Sequence, residues 1–330
     1  MLRRCWHPVA RAADLGAPDG GPVAVRLLGE DWALVRLDGR SALLPDRCPH
    51  RGMPLSAGRV VDASLECPYH GYRFDADGTC VRIPAQDPSV PIGRQASCEA
   101  AACVVERYGL VWAAVEEPVT ALPEIPEHGD PGFEVLEHEP QVWAAGAAQM
   151  ADNFLDLTHV PFVHPGSFGD PDGVRLGEAA VTRADWGFEA VVRNRTKKLD
   201  DILDQDGGYT LLDRVNRFRF TPPFHVYLRL EFSDGTVLVL TFFAQPIDAE
   251  RSRLFSVTLR NEVAQRTVST QESLALAEVI LDEDRRILEQ LPGTAVPLEL
   301  TAEHHTKADR VTVEMRRVLA DLVTRTTAGA

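Results

Sequence analysis

The period of the apolar positions changes twice along this 330-residue chain. Over 23–115 they come in short runs, AVRLLG, WALVRLDG, SALLP, YRFDADGTCVRI and GLVWAAV, each closed by Gly, Pro or an Asp-Gly step. Such runs predict short β-strands gathered into a small all-β module. The Asp77-Gly78 step predicts a hairpin whose two central residues both take positive φ. From 116 to 140, Pro118, Pro123, Pro126, Pro131 and Pro140 stand among acidic residues without periodicity, which predicts a linker. Beyond it, long strand-like stretches at 174–194, 216–232 and 236–255 precede helical spacing at 269–291 and 307–322. The chain is therefore expected to be α+β: a β domain over residues 1–118, a proline-rich linker over 119–140, and a larger domain over 141–330.

Length agrees, at about 150 residues per domain. A formal net charge of −15 has the wrong sign for gripping a polyanion, so nucleic acid is not expected as a partner. The hydrophobic share of 45% and charged share of 25% are those of a globular protein. The richest apolar run, 236–244, is strand-sized, so no membrane span is expected. The opening MLRRCWHPVARAADLG places His7, Pro8, Arg11 and Asp14 where a secretion signal would be apolar, which predicts a cytoplasmic protein. The 6 cysteines all lie in the first third and read as reduced thiols or metal ligands.

Cys48 and His50 form a Cys-x-His pair, and Cys67 and His70 follow as Cys-x-x-His. Two thiolates and two imidazoles are the donor set of a 2Fe-2S cluster in which histidines replace cysteines on one iron. Gly52, Gly58 and Gly71 let the backbone run close to such a cluster. A structural zinc site uses the same inventory but usually groups Cys with Cys and His with His, whereas each loop here supplies one of each. Cys5, Cys80, Cys98 and Cys103 lack comparable partners and read as small buried hydrophobes.

A second constellation lies in ADNFLDLTHVPFVHPGSFG. Asp156 and His159, three apart, share a helix face. Pro161 is expected to end that helix near Thr158, so that the chain can turn and re-aim His164 to the same point. Two histidines need one carboxylate to complete the facial donor set of an oxygen-activating Fe(II). In the helical pattern 269–291, Ala277, Ile280, Leu281, Ile287, Leu288 and Leu291 form an apolar stripe that Asp284 interrupts. A carboxylate there needs a buried partner. Asp282, Glu283, Arg285 and Arg286 fall on other faces and read as solvated surface. Each signal alone also fits a core histidine or a buried ion pair; their joint occurrence after the first constellation points to metal. Asn153 is a candidate to orient Asp156 or approach the metal, or equally a helix cap or core amide.

Cys48-Pro49-His50-Arg51-Gly52 and Cys67-Pro68-Tyr69-His70-Gly71 resemble the ligand loops of the Rieske non-haem iron oxygenases, with Tyr72 where that family commonly has Trp. Asp152-Asn153-x-x-Asp156-x-x-His159-x4-His164 resembles the family's mononuclear iron motif, and the helix from Asp284 resembles its distal carboxylate helix. Chain length, Trp6-His7-Pro8 and the RYGLVW strand most resemble the homotrimeric monooxygenase branch, which includes vanillate and dicamba O-demethylases and saxitoxin-pathway hydroxylases. The resemblance implies an N-terminal all-β Rieske domain followed by a helix-grip-like catalytic domain with an antiparallel sheet and a C-terminal iron-ligand helix. It implies a 2Fe-2S cluster on Cys48, His50, Cys67 and His70, and Fe(II) on His159, His164 and Asp284. A flavin-dependent reductase, a ferredoxin or both would deliver NAD(P)H-derived electrons, and O2 would be spent on hydroxylating or O- or N-demethylating a small molecule. Asp156 would receive a hydrogen bond from His70 of a neighbouring subunit and pass charge toward His159, which implies a homotrimer. Cis-dihydroxylation of an aromatic ring is the alternative within the family, and a Rieske electron carrier without catalytic iron is the alternative outside it. Arg47, Arg51, Arg59, Arg73 and Arg82 around the ligand loops read as solvated surface or as a docking patch for an acidic donor. Substrate choice is expected to rest on residues between about 190 and 260, where sequence shows strands but no pocket.

Overall fold

The structure, a computed structural model, describes residues 1–15, 20–170, 172–197, 210–261 and 269–327. It divides into two compact units, Leu2–Val119 with Pro246–Ala249, and Thr120–Gln245 with Glu250–Ala330 and Met1.

The first unit is all β among its described residues, apart from short 3-10 turns. Its strands are β1 (His7–Arg11), β2 (Val23–Leu27), β3 (Glu30–Leu37), β4 (Arg40–Pro45), β5 (Arg59–Val61), β6 (Ser64–Glu66), β7 (Arg73–Phe74), β8 (Cys80–Arg82), β9 (Cys103–Arg107) and β10 (Leu110–Ala114). They form three antiparallel sheets in the orders β1-β10-β9, β2-β3-β4 and β5-β6-β7-β8. Side chains alternate across a strand, and β3 uses both faces. Trp32 and Leu34 enter one core with Val9, Leu43 and Val111, while Ala33, Val35 and Leu37 enter another with Leu65, Phe74 and the two ligand-loop cysteines. The β7–β8 turn differs from the expected hairpin. It spans Asp75–Gly78, only Gly78 takes positive φ (82°), and the Asp75 carboxylate accepts from the amides of Asp77 and Thr79. The side-chain acceptor on Asp75 therefore sets this turn rather than the Asp77-Gly78 step.

In the second unit, strands β11 (Phe133–Glu137), β12 (Gln141–Trp143), β13 (Ala180–Ala184), β14 (Gly187–Lys197), β15 (Leu211–Thr221), β16 (His225–Phe232), β17 (Val237–Pro246) and β18 (Ser252–Asn261) build one antiparallel sheet. Its order is β11-β18-β17-β16-β15-β14-β13, with β12 also on β18. Helices α1 (Ala147–Leu155), α2 (Val160–Val163), α3 (Thr270–Leu288) and α4 (Arg310–Thr327) accompany it. The stretches 216–232 and 236–255 each prove to be parts of a hairpin. Pro222 and Pro223 cannot donate to a ladder, and the chain turns there. The middle strands read as near-continuous apolar runs because both of their faces are buried: Leu228, Leu230 and Phe242 on one, Val239, Phe243 and Val257 on the other.

The proline-rich segment 119–140 is not a free tether. Phe133–Glu137 pairs with β18, and the buried Glu127 accepts from the Tyr227 hydroxyl at 2.8 Å and from Arg229, side chains on the outer face of β16. Prolines and acids conceal this docking because its partners lie about a hundred residues downstream.

Candidate metal centres

The two Cys-His loops join β4 to β5 and β6 to β7, and their backbones repeat one geometry. The Cys48 amide donates to the Met53 carbonyl and the Gly52 amide to the Cys48 carbonyl; Cys67 with Tyr72 and Gly71 with Cys67 make the same two bonds. Closing each loop this way needs a left-handed residue, and Gly52 (φ 71°) and Gly71 (φ 69°) supply it. The Cys48 and Cys67 side chains are buried, and the centres of the His50 and His70 rings lie 4.4 Å apart. Tyr72 stacks on His50 at 4.7 Å and 8°, a face an aromatic residue of either kind could provide.

This donor set suits a cluster. Burial pushes the Cys48 thiol up to about 11, so it becomes a thiolate only when a metal replaces its proton. Partial burial and the neighbouring His70 and Arg51 hold His50 below its ordinary range, keeping the neutral form that ligates. The buried His50 Nδ1 has no hydrogen-bond partner, as a nitrogen reserved for iron would.

The second constellation gathers from three elements. Helix α1 ends at Leu155 with Asp156 as its C-cap in extended conformation, one turn earlier than Pro161 would require. Pro161 instead sits in the first turn of α2, where a missing N–H costs nothing because that donor would be unpaired anyway. The Asp156 carboxylate accepts from the Thr158 amide and hydroxyl and from the His159 amide, and this turn aims His159. His164 caps the far end of α2, and α3 brings Asp284, which is 4% exposed, between the imidazoles. His159 Nε2 stands 3.4 Å and His164 Nε2 3.1 Å from Asp284 Oδ1, and one donor atom from each residue lies within 4.8 Å of the others. Leu281 and Leu288 flank Asp284 in the core, but Ile287 and Leu291 of the expected stripe point to solvent.

Each imidazole presents Nε2 to the centre and is held at Nδ1 by a carboxylate, His159 by Asp156 at 3.2 Å and His164 by Glu283 at 2.7 Å. Carboxylate–histidine pairs of this kind fix the tautomer and orientation of metal-binding histidines. Burial opposes a charge on His159, yet Asp156 and Asp284 outweigh it and raise the group to about 9. Burial likewise opposes charge on Asp284, but the two histidines hold it down at about 2. The cluster is thus built to attract a cation. Asn153, expected to orient Asp156 or to approach the metal, donates instead to Asp284 Oδ1 at 3.0 Å.

Glu283 is the residue sequence reasoning missed. It does not lie on the solvated face of α3: its carboxylate is 22% exposed and accepts from His164 and from Ser167 Oγ. The one available signal was its place beside Asp284, which read as one more surface charge. We expect Glu283→Gln to weaken ferrous ion binding about 10-fold while leaving the cluster spectrum unchanged. Ferrous titration of chelator-treated protein measures this, and an unaltered affinity would mean that the Glu283–His164 bond is incidental.

A cavity of about 210 Å³ opens beside this triad. Leu228, Leu230, Leu240 and Phe242 of the sheet and Ala277 and Ile280 of α3 give it mainly apolar walls, the form taken by sites for small organic molecules. Among the described residues no helix is long and apolar enough to cross a membrane.

The Rieske [2Fe-2S] domain family matches residues 5–108, which favours an iron-sulfur cluster over zinc in the first unit, and the vanillate O-demethylase oxygenase C-terminal domain family matches residues 143–325. Methylxanthine N3-demethylase NdmB of Pseudomonas putida is 31% identical over 329 residues, 96% of this chain and 88% of that one. Methylxanthine N1-demethylase NdmA of the same organism is 30% identical over 97% of this chain and 89% of that one. Among solved structures, the P. putida CBB5 NdmA QL mutant with theobromine superposes with a TM-score of 0.83 at 28% identity, over 97% of this chain and 90% of that one. Dicamba monooxygenase bound to dicamba shares the fold, with a TM-score of 0.77 at 22% identity over 99% of both chains. Two domain families matched in tandem, and relatives 30% and 31% identical along nearly its full extent, make this chain a member of the Rieske non-haem iron oxygenases, on the vanillate O-demethylase branch.

Proposed function

We propose that the chain is the terminal oxygenase of a demethylating system, removing a methyl group from nitrogen or oxygen of a small organic molecule. The observation that carries this is the triad of His159, His164 and Asp284 opening on an apolar cavity in a chain that also holds the Rieske loops. Cys48, Cys67, His50 and His70 would hold the 2Fe-2S cluster, and His159, His164 and Asp284 would hold Fe(II). On this proposal residues 1–118 take up electrons and residues 141–330 carry out the oxygen chemistry. When bound, the two centres supply single electrons and activate dioxygen. One oxygen atom enters a methyl C–H bond and the product collapses to formaldehyde and the demethylated molecule; two electrons and two protons carry the other oxygen to water.

The chain's own residues do the positioning. Apolar walls exclude bulk water and seat the substrate. Asp156 and Glu283 keep each histidine's Nε2 free for iron by holding the proton on Nδ1. His70 is exposed, as a ligand that donates a hydrogen bond across a subunit boundary must be, and the side chain of Asp156 is 22% exposed to receive it. That exchange supports a homotrimer in which His70 of one subunit reaches Asp156 of the next. Arg59 and Arg73 are paired with Glu66 and Asp62, leaving Arg47, Arg51 and Arg82 as exposed cations where a flavin-dependent reductase or ferredoxin would dock. The four cysteines outside the ligand loops, Cys5, Cys80, Cys98 and Cys103, are free thiols, which fits a cytoplasmic setting.

The test is reductase-driven turnover on a panel of N-methyl and O-methyl aromatic compounds, following formaldehyde and product mass. Loss of one CH2 with matching formaldehyde is the expected result. Gain of two oxygens and two hydrogens would replace this proposal with ring dihydroxylation.

A further inference from the structure

Arg214 lies on β15 with its side chain buried at 4% exposure and lines the cavity beside the triad. Its cross-strand neighbours are Asn194 on β14 and Phe232 on β16, neither of which carries charge. Nε donates to Asn194 Oδ1 at 3.2 Å, an oxygen that already accepts from Asn216 Nδ2 at 2.9 Å, and the Phe232 ring lies 5.9 Å from the guanidinium carbon. Among the described residues no carboxylate pairs with Arg214.

The other charged groups on the same wall are occupied differently. Arg260 is neutralised by Glu134 and bonded to Ser273 and Thr270. Asp234 accepts from the Thr236 amide, and Lys197 reaches the Pro165 carbonyl. A guanidinium carries five donors in a fixed fork, and among the described residues one of them, Nε, meets an acceptor. Buried cations without a counter-charge are costly and rare. Burial pulls Arg214 down to about 10, which still leaves it cationic at neutral pH.

We propose that Arg214 is a specificity-determining residue that binds a carboxylate of the substrate, so that the molecule demethylated is a small apolar acid. The fork of Nη donors matches the two oxygens of a carboxylate, and the arriving anion supplies the counter-charge that no described residue gives. Leu212 and Phe232 beside it, and the leucines of the sheet, receive an aromatic or similarly apolar body. Because Arg214 and the triad line one cavity, an acid held at the first presents the rest of its body to the second. The net charge of −15 gives no hint of this, since screening limits the reach of surface charge to about 8–10 Å, whereas Arg214 acts at contact inside a low-dielectric wall.

The inference rests on the demethylase proposal, but binding can be measured without turnover. Anaerobic iron-loaded protein is titrated calorimetrically with matched acid and amide probes: 3-methoxybenzoate against 3-methoxybenzamide, and 4-methoxycinnamate against its amide. In the native protein at least one acid is expected to bind about 10- to 100-fold more tightly than its amide, the range of a charge-assisted hydrogen bond. Arg214→Met is expected to abolish that preference while leaving amide affinity within about 3-fold, and Arg214→Lys to keep part of it; iron content and melting temperature report whether each variant folds, with Arg214→Gln as the substitute if the Met variant does not. A panel in which no acid outbinds its amide, absence of all binding included, overturns the assignment, as does a preference that survives loss of the guanidinium. Formaldehyde release is measured separately. Arg214-dependent binding of an acid without formaldehyde would sink the demethylase proposal and spare the recognition site, whereas formaldehyde from acids with KM indifferent to Arg214 would do the reverse.

Discussion

Asp156→Asn is expected to leave about three irons per chain, two in the cluster and one mononuclear, yet to slow oxidation of the reduced cluster about 100-fold in a single turnover. The reason lies in what the carboxylate does at the end of α1. Its oxygens accept from the Thr158 amide and hydroxyl and from both the amide and Nδ1 of His159, and together these bonds keep it ionised against the pull of burial. Asparagine can keep the bonds to Thr158 through its carbonyl, so the turn that aims His159 persists. Its NH2 group then takes the place of Oδ2, facing the His159 amide and Nδ1 and, in the trimer proposed above, the proton from a neighbour's His70, and a donor cannot accept. Saturating ferrous ion keeps the mononuclear site loaded, which separates loss of charge transfer from loss of metal. Stopped-flow absorbance of the reduced cluster after oxygen is added to substrate-bound protein makes the measurement. A rate near that of the native protein with full iron would mean that electrons take another route.

The second large effect is at the other side of the same centre. Asp284→Ala should retain the cluster, about two irons per chain, while the mononuclear iron is lost and product formation falls by more than about 1000-fold. Two imidazoles alone are a weak and neutral donor set, and no described residue besides Asp284 completes a compact donor group with His159 and His164. Asn153, whose amide donates to Asp284 Oδ1, would lose its acceptor but cannot replace a carboxylate's charge. Iron analysis with the reduced cluster's electron paramagnetic resonance spectrum separates the two centres. Three irons per chain in this variant would place the carboxylate ligand elsewhere.

How far these sites could be read in advance differs from residue to residue. The ligand loops were legible because each one closes on itself within six residues: the bonds that shape it run between Cys48 and Met53 or between Cys67 and Tyr72. The order of strands and helices was legible from periodicity, but the turns inside 216–232 and 236–255 were not, since apolar residues buried on both faces hide where a strand ends. Pro161 shows the limit of reading a local rule alone. A proline opens a helix as readily as it closes one, and only the short second helix reveals which of the two it does here. The sequence pattern puts Ile287 inside and Glu283 outside, and the fold reverses them: at 100° per residue both sit near the edge of the buried face of α3, and the neighbours of that edge decide which goes inside. Here a polar pair, His164 and Ser167, waits there for a carboxylate.

The identity of the chemistry, then, was written in the one-dimensional string, because donor atoms and the turns that aim them are set by residues a few positions apart. Cys-x-His with Cys-x-x-His, and two histidines after an aspartate, specify which elements can be bound whatever the rest of the chain does. The tertiary structure alone decided which distant groups meet: Asp284 with histidines 120 and 125 positions earlier, Glu283 turned inward, the proline-rich segment seated on the sheet, and Arg214 placed in the cavity wall with no carboxylate partner among the described residues. Burial and pairing depend on which faces come together when the sheet and helices close over one another, and for a charged side chain that environment, rather than its place in the sequence, determines whether it is surface, ligand or receptor.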